Sequence, residues 1–319
     1  MKIGLVDVDG HNFPNLALMK IAAYHKKRGD IVEWVNFFER YDKVYISKVF
    51  TFTPDVVTVI QSDNIERGGT GYDISKQLPA EIDNELPDYS IYSFAKWFDG
   101  MTAYGFITRG CIRNCPWCIV PKKEGAIHKY RDIEDVLQNK KAAVLMDNNI
   151  LASDCCQEQL EKIAKIGCKV DFNQGLDARI IVSNPKVAVW LSKIKWLAPI
   201  RLACDSKAMM PIIKEAADLL RGAGCKPHRL FSYVLLTDLE DSLERINFLR
   251  EMDIMPFAQP YRDFTPNQII PQWQKDLAHW TNRRELLTSC DFKDFQPRHG
   301  FYCSEYFNNY KACSTQTKL

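Results

Sequence analysis

The sequence predicts an α/β protein with an N-terminal Rossmann-like layer, a partial (βα)6 barrel of the TIM type and a C-terminal helical extension. Short apolar runs alternate with amphipathic helical stretches along most of the chain, the pattern of parallel strands covered by helices. The rhythm also breaks and restarts. Between Gln61 and about Gly100 the run Gly68-Gly69-Thr70-Gly71, Pro79 and Pro87 read as irregular connection. A chain of 319 residues has room for two modest domains, or for one barrel with an appendage.

In the first layer, residues 1–98, Lys2 to Val8 reads as a buried strand ending in acids. Pro14-Asn15 opens an amphipathic helix that Lys26-Lys27-Arg28-Gly29 closes. Ile31 to Val35, Lys43 to Ser47 and Val56 to Ile60 follow as strands. From Ala103 strand-like runs begin near Tyr104, Ala142, Lys169, Ile200, Leu230 and Asp253. Helical patterns at 133–139, 157–166, 185–194, 207–221 and 239–252 separate most of them. That makes about six β/α units over residues 99–265, two short of a closed barrel. The extension, 266–319, holds one helix around 275–287 and then an aromatic end in which Trp273, Trp280, Phe292 and Phe295 glue it to the barrel.

Hydrophobic residues at 46% and charged residues at 26% are ordinary for a soluble globular protein. With 42 basic against 40 acidic side chains, no nucleic-acid partner is indicated, and Lys122-Lys123 and Arg283-Arg284 read as solvated faces. The N-terminal apolar run is too short for a signal peptide and no segment reaches membrane-spanning length, so a cytoplasmic protein without a membrane partner is expected. Eleven cysteines in a reducing compartment are then thiols or metal ligands.

Their spacing singles out Cys111-Ile112-Arg113-Asn114-Cys115-Pro116-Trp117-Cys118, a C-x3-C-x2-C run just after the first strand of the second rhythm. Three such thiolates suit three irons of a four-iron cluster, leaving the fourth iron open, whereas closed clusters usually take four cysteines. A structural zinc site would want a second C-x2-C pair, which is missing. Cys290, Cys303 and Cys313 are too loosely spaced for a chelate, so one cluster is expected and no second.

This triplet after the first strand of a six-unit barrel resembles the radical S-adenosylmethionine (SAM) superfamily, and Thr108-Arg109-Gly110-Cys111 with Cys118-Ile119-Val120-Pro121 is similar to the cluster loop of tRNA methylthiotransferases. The resemblance covers residues 103–262 or so. It implies a 4Fe-4S cluster on Cys111, Cys115 and Cys118 whose open iron binds SAM. It further implies an electron donor such as flavodoxin or ferredoxin, and a 5′-deoxyadenosyl radical that abstracts hydrogen from a substrate the sequence does not name. Trp117, before the third cysteine, is implied to meet the adenine. The family often carries Gly-Gly-Glu after the second strand; here Asp147-Asn148-Asn149 stands there. Polar residues ending other strands, namely Asn173 with Gln174, Asp205 with Ser206, and Gln259 with Tyr261 and Arg262, are further candidates for holding SAM. Without both an RNA-binding module and a second triplet, methylthiotransfer itself is not expected.

The N-terminal order of domains resembles radical SAM enzymes that carry a cobalamin-binding-like domain. Asp9-Gly10-His11-Asn12-Phe13-Pro14 is similar to the run in which His ligates cobalt, with Pro14 where that run ends in Gly. Retained cobalamin is therefore not expected, and Gly68-Gly69-Thr70-Gly71 would receive the tail if it bound. Asp7-Val8-Asp9-Gly10 also looks like the start of haloacid-dehalogenase phosphatases, but their partner lysine and acidic pair are not found. Two rivals remain: a cobalamin-dependent methyl transferase, and a non-catalytic iron-sulfur sensor.

Overall fold

The computed structural model describes residues 1–10, 12–226, 230–263 and 268–308. Contact density divides the chain inside one strand: the first compact unit is built on Met1–Val170, the second on Asp171–Asp263 and the segment from Ile269. Neither expected boundary, at 98 or at 265, separates the units.

The first unit opens with β1 (Lys2–Asp7), α1 (Leu16–Lys27), β2 (Ile31–Trp34), β3 (Lys43–Ser47) and β4 (Ile65–Gly68). All four strands are parallel, in the order β2-β1-β3-β4. Alternation along β1 decides its two faces. Ile3 and Leu5 pack with Leu18, Met19, Ile21 and Ala22 of α1. Val6 turns the other way, into a smaller cluster with Tyr41, Val44 and Ile46. Asn15 caps α1 by accepting from the Leu18 amide at 3.2 Å, and His25, Lys26 and Lys27 complement the helix C-terminus.

The expected strand at Val56–Ile60 is not formed; Val57 and Val59 are 95% and 82% exposed. The ladder is completed instead by β4, inside the stretch read as irregular. There the Val44 amide donates to the Asn64 carbonyl at 2.9 Å, and Lys43 pairs with Glu66 across the strands at 3.0 Å. The β-branched run at 56–60 had the better propensity, and cross-strand pairing overrode it.

After α2 (Ala80–Asp83) come β5 (Thr102–Gly105), β6 (Thr108–Arg109), α3 (Val120–Lys123), β7 (His128–Lys129), α4 (Ile133–Leu137), β8 (Ala142–Leu145), α5 (Cys156–Ile166) and the start of β9 (Lys169–Phe172). β5 pairs in parallel with β8, Thr102 opposite Ala142, and β6 with β7 forms a small antiparallel hairpin that the sequence reading passed over.

The second unit continues through α6 (Ala178–Ser183), α7 (Lys186–Ser192), β10 (Lys195–Trp196), β11 (Ile200–Ala203), α8 (Met209–Gly222), β12 (Leu230–Leu236), α9 (Leu239–Glu251), β13 (Met255–Pro260), α10 (Gln272–Thr281) and α11 (Arg284–Ser289). β11, β12 and β13 form a parallel three-stranded sheet. Ile213, Ala216, Ala217 and Leu220 make the buried stripe of α8 at helical spacing. The single helix expected at 275–287 is two: Asn282 ends α10 with its amide still donating to Ala278 at 2.9 Å and its side chain paired with the Ala258 backbone, accepting at 2.7 Å and donating at 3.0 Å, and the chain turns extended at Arg283. Trp280 is fully buried against Phe292, ring centroids 5.6 Å apart, so the aromatic tail is core of this unit. Among the described residues no helix is long and apolar enough to cross a membrane.

Candidate metal centre

The cysteine loop is anchored before it begins. β5 and β8 are parallel neighbours, so their carboxyl ends lie side by side, and the Met146 amide donates to the Gly105 carbonyl at 2.9 Å. This puts Asp147 beneath the segment entering the loop. Its carboxylate, 2% exposed, accepts from the Ile107 amide at 3.1 Å, the Thr108 amide at 2.5 Å and the Thr108 hydroxyl at 2.7 Å. Burial outweighs these donors and pushes the carboxyl up to about 6. Asp147 is thus committed to the backbone and holds the loop in place.

The β6–β7 hairpin then closes the base of the loop. Gly110 sits at φ +80, where a Cβ would lie 2.3 Å from the Ala126 carbonyl oxygen, so this crossing of chains admits glycine alone. The Cys111 amide donates to Gly125 at 3.2 Å. Glu124 ties the two arms: it accepts from Arg109 at 2.7 Å, from the Gly110 amide at 3.1 Å and from Asn148 at 2.6 Å. Arg109 in turn lies over the rings of Phe106 and Tyr130, at 4.2 and 5.6 Å. On the far side of the hairpin Arg131 donates to the Asp83 carbonyl at 2.9 Å, and Lys20 of α1, almost buried, bonds Asp83 and the Tyr130 hydroxyl. The N-terminal layer therefore braces the exit of the cysteine loop.

Inside this frame Cys111, Cys115 and Cys118 are all half-exposed. The Cys111 sulfur accepts from the Arg113 amide at 3.3 Å and from Asn149 Nδ2 at 3.5 Å, and Cys118 donates its amide to the Cys115 carbonyl at 3.0 Å. Trp117 is half-buried between them in sequence. Among the described residues the remaining cysteines are buried, apart from half-exposed Cys290. Burial pushes the thiols of Cys156, Cys204 and Cys303 up to about 12, which leaves them inert hydrophobes. The three thiols of the loop have not closed on one another: among the described residues no three His, Cys, Asp or Glu side chains gather as a metal-holding group. Their chemistry nevertheless fits an iron-sulfur cluster, with soft, accessible donors on one short loop and hydrogen bonds reaching a ligand sulfur. Ligand closure on metal arrival is the usual coupling of binding to local folding.

The structure brings Asp147, Asn148 and Asn149 to this loop. Gln174, Asp205 and Ser206 belong to the second unit. Gln174 is exposed at the turn that Gly175 completes, next to Asn173, whose carbonyl accepts from Tyr233 at 2.8 Å. Asp205 accepts from the Leu235 amide at 3.1 Å, its carboxyl raised by burial, and the Ser206 carbonyl accepts from Met209 as α8 begins. Gln259 is exposed near the end of β13. His11 and Cys313 lie outside the described residues. Sequence reading missed Glu124, whose only signal was a lone acid closing Lys122-Lys123-Glu124-Gly125. It also misread Lys123, which is half-buried and bonds Thr70 instead of facing solvent. No known family model matches the chain, and no curated protein matches it.

Proposed function

We propose that this chain is a radical SAM enzyme, with Cys111, Cys115 and Cys118 holding three irons of one 4Fe-4S cluster and β5, β8, β9, β11, β12 and β13 serving as the strands of a partial barrel. The observation that carries this reading is the contrast in the cysteines: three half-exposed thiols share one loop at the carboxyl end of β5, while most others are sealed in apolar surroundings. Loaded, such a site supplies one-electron chemistry, the reductive cleavage of SAM to methionine and a 5′-deoxyadenosyl radical for hydrogen abstraction.

The chain's own residues have assigned work in this account. Asp147 and Glu124 fix the two ends of the loop, so the ligand sulfurs are presented from a rigid base. Asn149 and the Arg113 amide hydrogen-bond the Cys111 sulfur, the kind of contact that tunes a cluster's potential. Trp117 and Asn148, on the loop and beside it, are assigned to SAM. The N-terminal layer is read as cobalamin-binding-like in ancestry and as a brace in practice.

Anaerobic reconstitution with iron and sulfide tests the cluster directly. One cubane requires about four irons and about four sulfides per chain. The triple variant Cys111→Ala, Cys115→Ala, Cys118→Ala should lose both together with the visible absorbance. Equal loading of the variant and the parent would overturn the proposal.

A further inference from the structure

The parallel sheet β11-β12-β13 is covered by helices on one side only. Leu202, Ser232, Val234 and Ala258 are sealed beneath α8 and α9, as parallel strands require. The side chains between them point the other way and remain half-buried or exposed. Register sets these into layers: Arg201 beside Phe231 and Met255, then Ala203 beside Tyr233 and Phe257, then Leu235 beside Gln259. The middle of this open face is aromatic. The rings of Phe231, Tyr233 and Phe257 meet at centroid distances of 5.2, 5.7 and 6.0 Å. The Tyr233 hydroxyl is fixed by donating to the Asn173 carbonyl at 2.8 Å, and Ala203, next in line, is too small to cover the rings.

A polar edge follows at the carboxyl ends of the strands. Asp205 accepts from the Leu235 amide at 3.1 Å through one oxygen, and its other oxygen has no hydrogen-bond partner among the described residues. Arg245 and Arg179 act on this charge from farther off; Arg245 is bonded to Asp241 and to the Cys204 and Leu235 carbonyls, and Arg179 to Asp177. Gln259 lies two strands away, about 10 Å across the sheet. Its side-chain amide makes no hydrogen bond among the described residues. Arg201, the one cation of these layers, is paired with Asp171. Ring faces below, acceptors along the edge and no spare positive charge suit a flat molecule that donates N–H groups, and disfavour an anion.

We infer that the open face of β11, β12 and β13 binds the substrate, and that this substrate is a flat nitrogen heterocycle whose edge carries N–H donors, as a nucleobase does. Phe231, Tyr233 and Phe257 seat the ring, while Asp205 and Gln259 accept from its edge. Naming the occupant as substrate rests on the radical SAM reading, in which Trp117 and Asn148 serve SAM. Binding of the ring itself needs no cluster.

Titration of the full-length chain with guanosine, followed by calorimetry and saturation-transfer NMR, tests it. Guanosine should bind saturably below about 10 mM, and benzoate, flat but anionic, should not. Phe257→Leu, which keeps an apolar side chain and removes a ring, should weaken binding about tenfold or more, and Asp205→Asn about tenfold. Phe50→Leu, altering the exposed stacked pair Phe50 and Phe52 of the N-terminal layer, should leave binding unchanged. Gln259→Leu, at an exposed position, should also weaken binding and decides the matter if the half-buried variants do not fold. Excess SAM on the reconstituted protein should leave guanosine bound; displacement would give this face to the adenine of SAM and overturn the substrate assignment. Absence of saturable guanosine binding, equal binding of benzoate, or equal weakening by Phe50→Leu would overturn the inference. Cluster loading and 5′-deoxyadenosine formation are read separately, so failure here is distinct from failure of the radical SAM reading.

Discussion

Asp147→Asn removes one oxygen acceptor from the floor of the cysteine loop without changing the size of the side chain. Three donors converge on that carboxylate in the structure: the amides of Ile107 and Thr108 and the Thr108 hydroxyl. The Thr108 amide, the Thr108 hydroxyl and the shorter Ile107 bond all fall on Oδ1, and Oδ2 takes only the second Ile107 bond at 3.2 Å, so the variant keeps its oxygen at Oδ1 and turns an NH2 group against the Ile107 amide alone. That loss costs about 1 to 1.5 kcal/mol. Because the chain divides into two compact units, a single global unfolding midpoint would blur the effect, and local exchange is the cleaner readout. At pH 7.5 hydrogen exchange of the Ile107 amide should accelerate about 5- to 12-fold, as about 1.4 kcal/mol per tenfold requires, and that of the Thr108 amide less, with amides of β12 unaffected. Unchanged protection at both amides would show that Asp147 does not hold the loop, and the positional account of the site would fail with it.

The remaining predictions follow from neighbouring geometry. The folded-state carboxyl of Asp147 lies near 6 against an ordinary 3.8, so the stability that protonation adds to its bonds with the loop is fully present below about pH 4 and is lost as pH rises through 6. Wild-type stability relative to Asp147→Asn should therefore fall by up to about 3 kcal/mol over that window in urea titrations and then level off; a gap that widens with pH would contradict this. Gly110→Ala forces a methyl group onto the Ala126 carbonyl at a backbone angle reserved for glycine, so it should lower iron loading severely while leaving far-ultraviolet dichroism unchanged. Loading at the parental level would refute the role given to that crossing. Iodoacetamide at pH 8 should label Cys111, Cys115 and Cys118 first in the metal-free protein and spare Cys156, Cys204 and Cys303 until it unfolds. Mass spectrometry reads the order, and early labelling of any of the three buried thiols would contradict the burial argument.

Much of the α/β plan was legible because period and composition carry it. The strands at Lys2, Ile31, Lys43, Ala142, Lys169, Ile200 and Leu230 and the helices α1, α5, α8 and α9 stand where the sequence puts them, since each carries apolar residues at the right period, and Asn15 and Asp238 also cap α1 and α9. What failed needed partners distant in sequence. Val56–Ile60 is the better strand by propensity, but the edge of the sheet is filled by Ile65–Gly68. The last long helix breaks at Arg283, where the backbone turns extended beside Asn282, whose side chain is tied to the distant Ala258 by a contact that no local pattern announces. The short α6 carries too few turns to show a period. At the candidate site the cysteine spacing was visible and its frame was not: Glu124, the β6–β7 hairpin and the brace from Lys20 exist only once β5 and β8 lie side by side. Asp147 was picked from its place at a strand end, and its bonds to the backbone of Ile107 and Thr108 were not visible in the sequence.

The central claim, that this is a radical SAM enzyme, is tested most directly by incubating reconstituted protein anaerobically with SAM and a strong reductant and quantifying 5′-deoxyadenosine by mass spectrometry. Slow, reductant-dependent formation of 5′-deoxyadenosine and methionine, lost in Cys115→Ala, is the result the account predicts. A fully loaded protein that forms neither product and does not bind SAM would contradict it and leave an iron-sulfur protein without this chemistry.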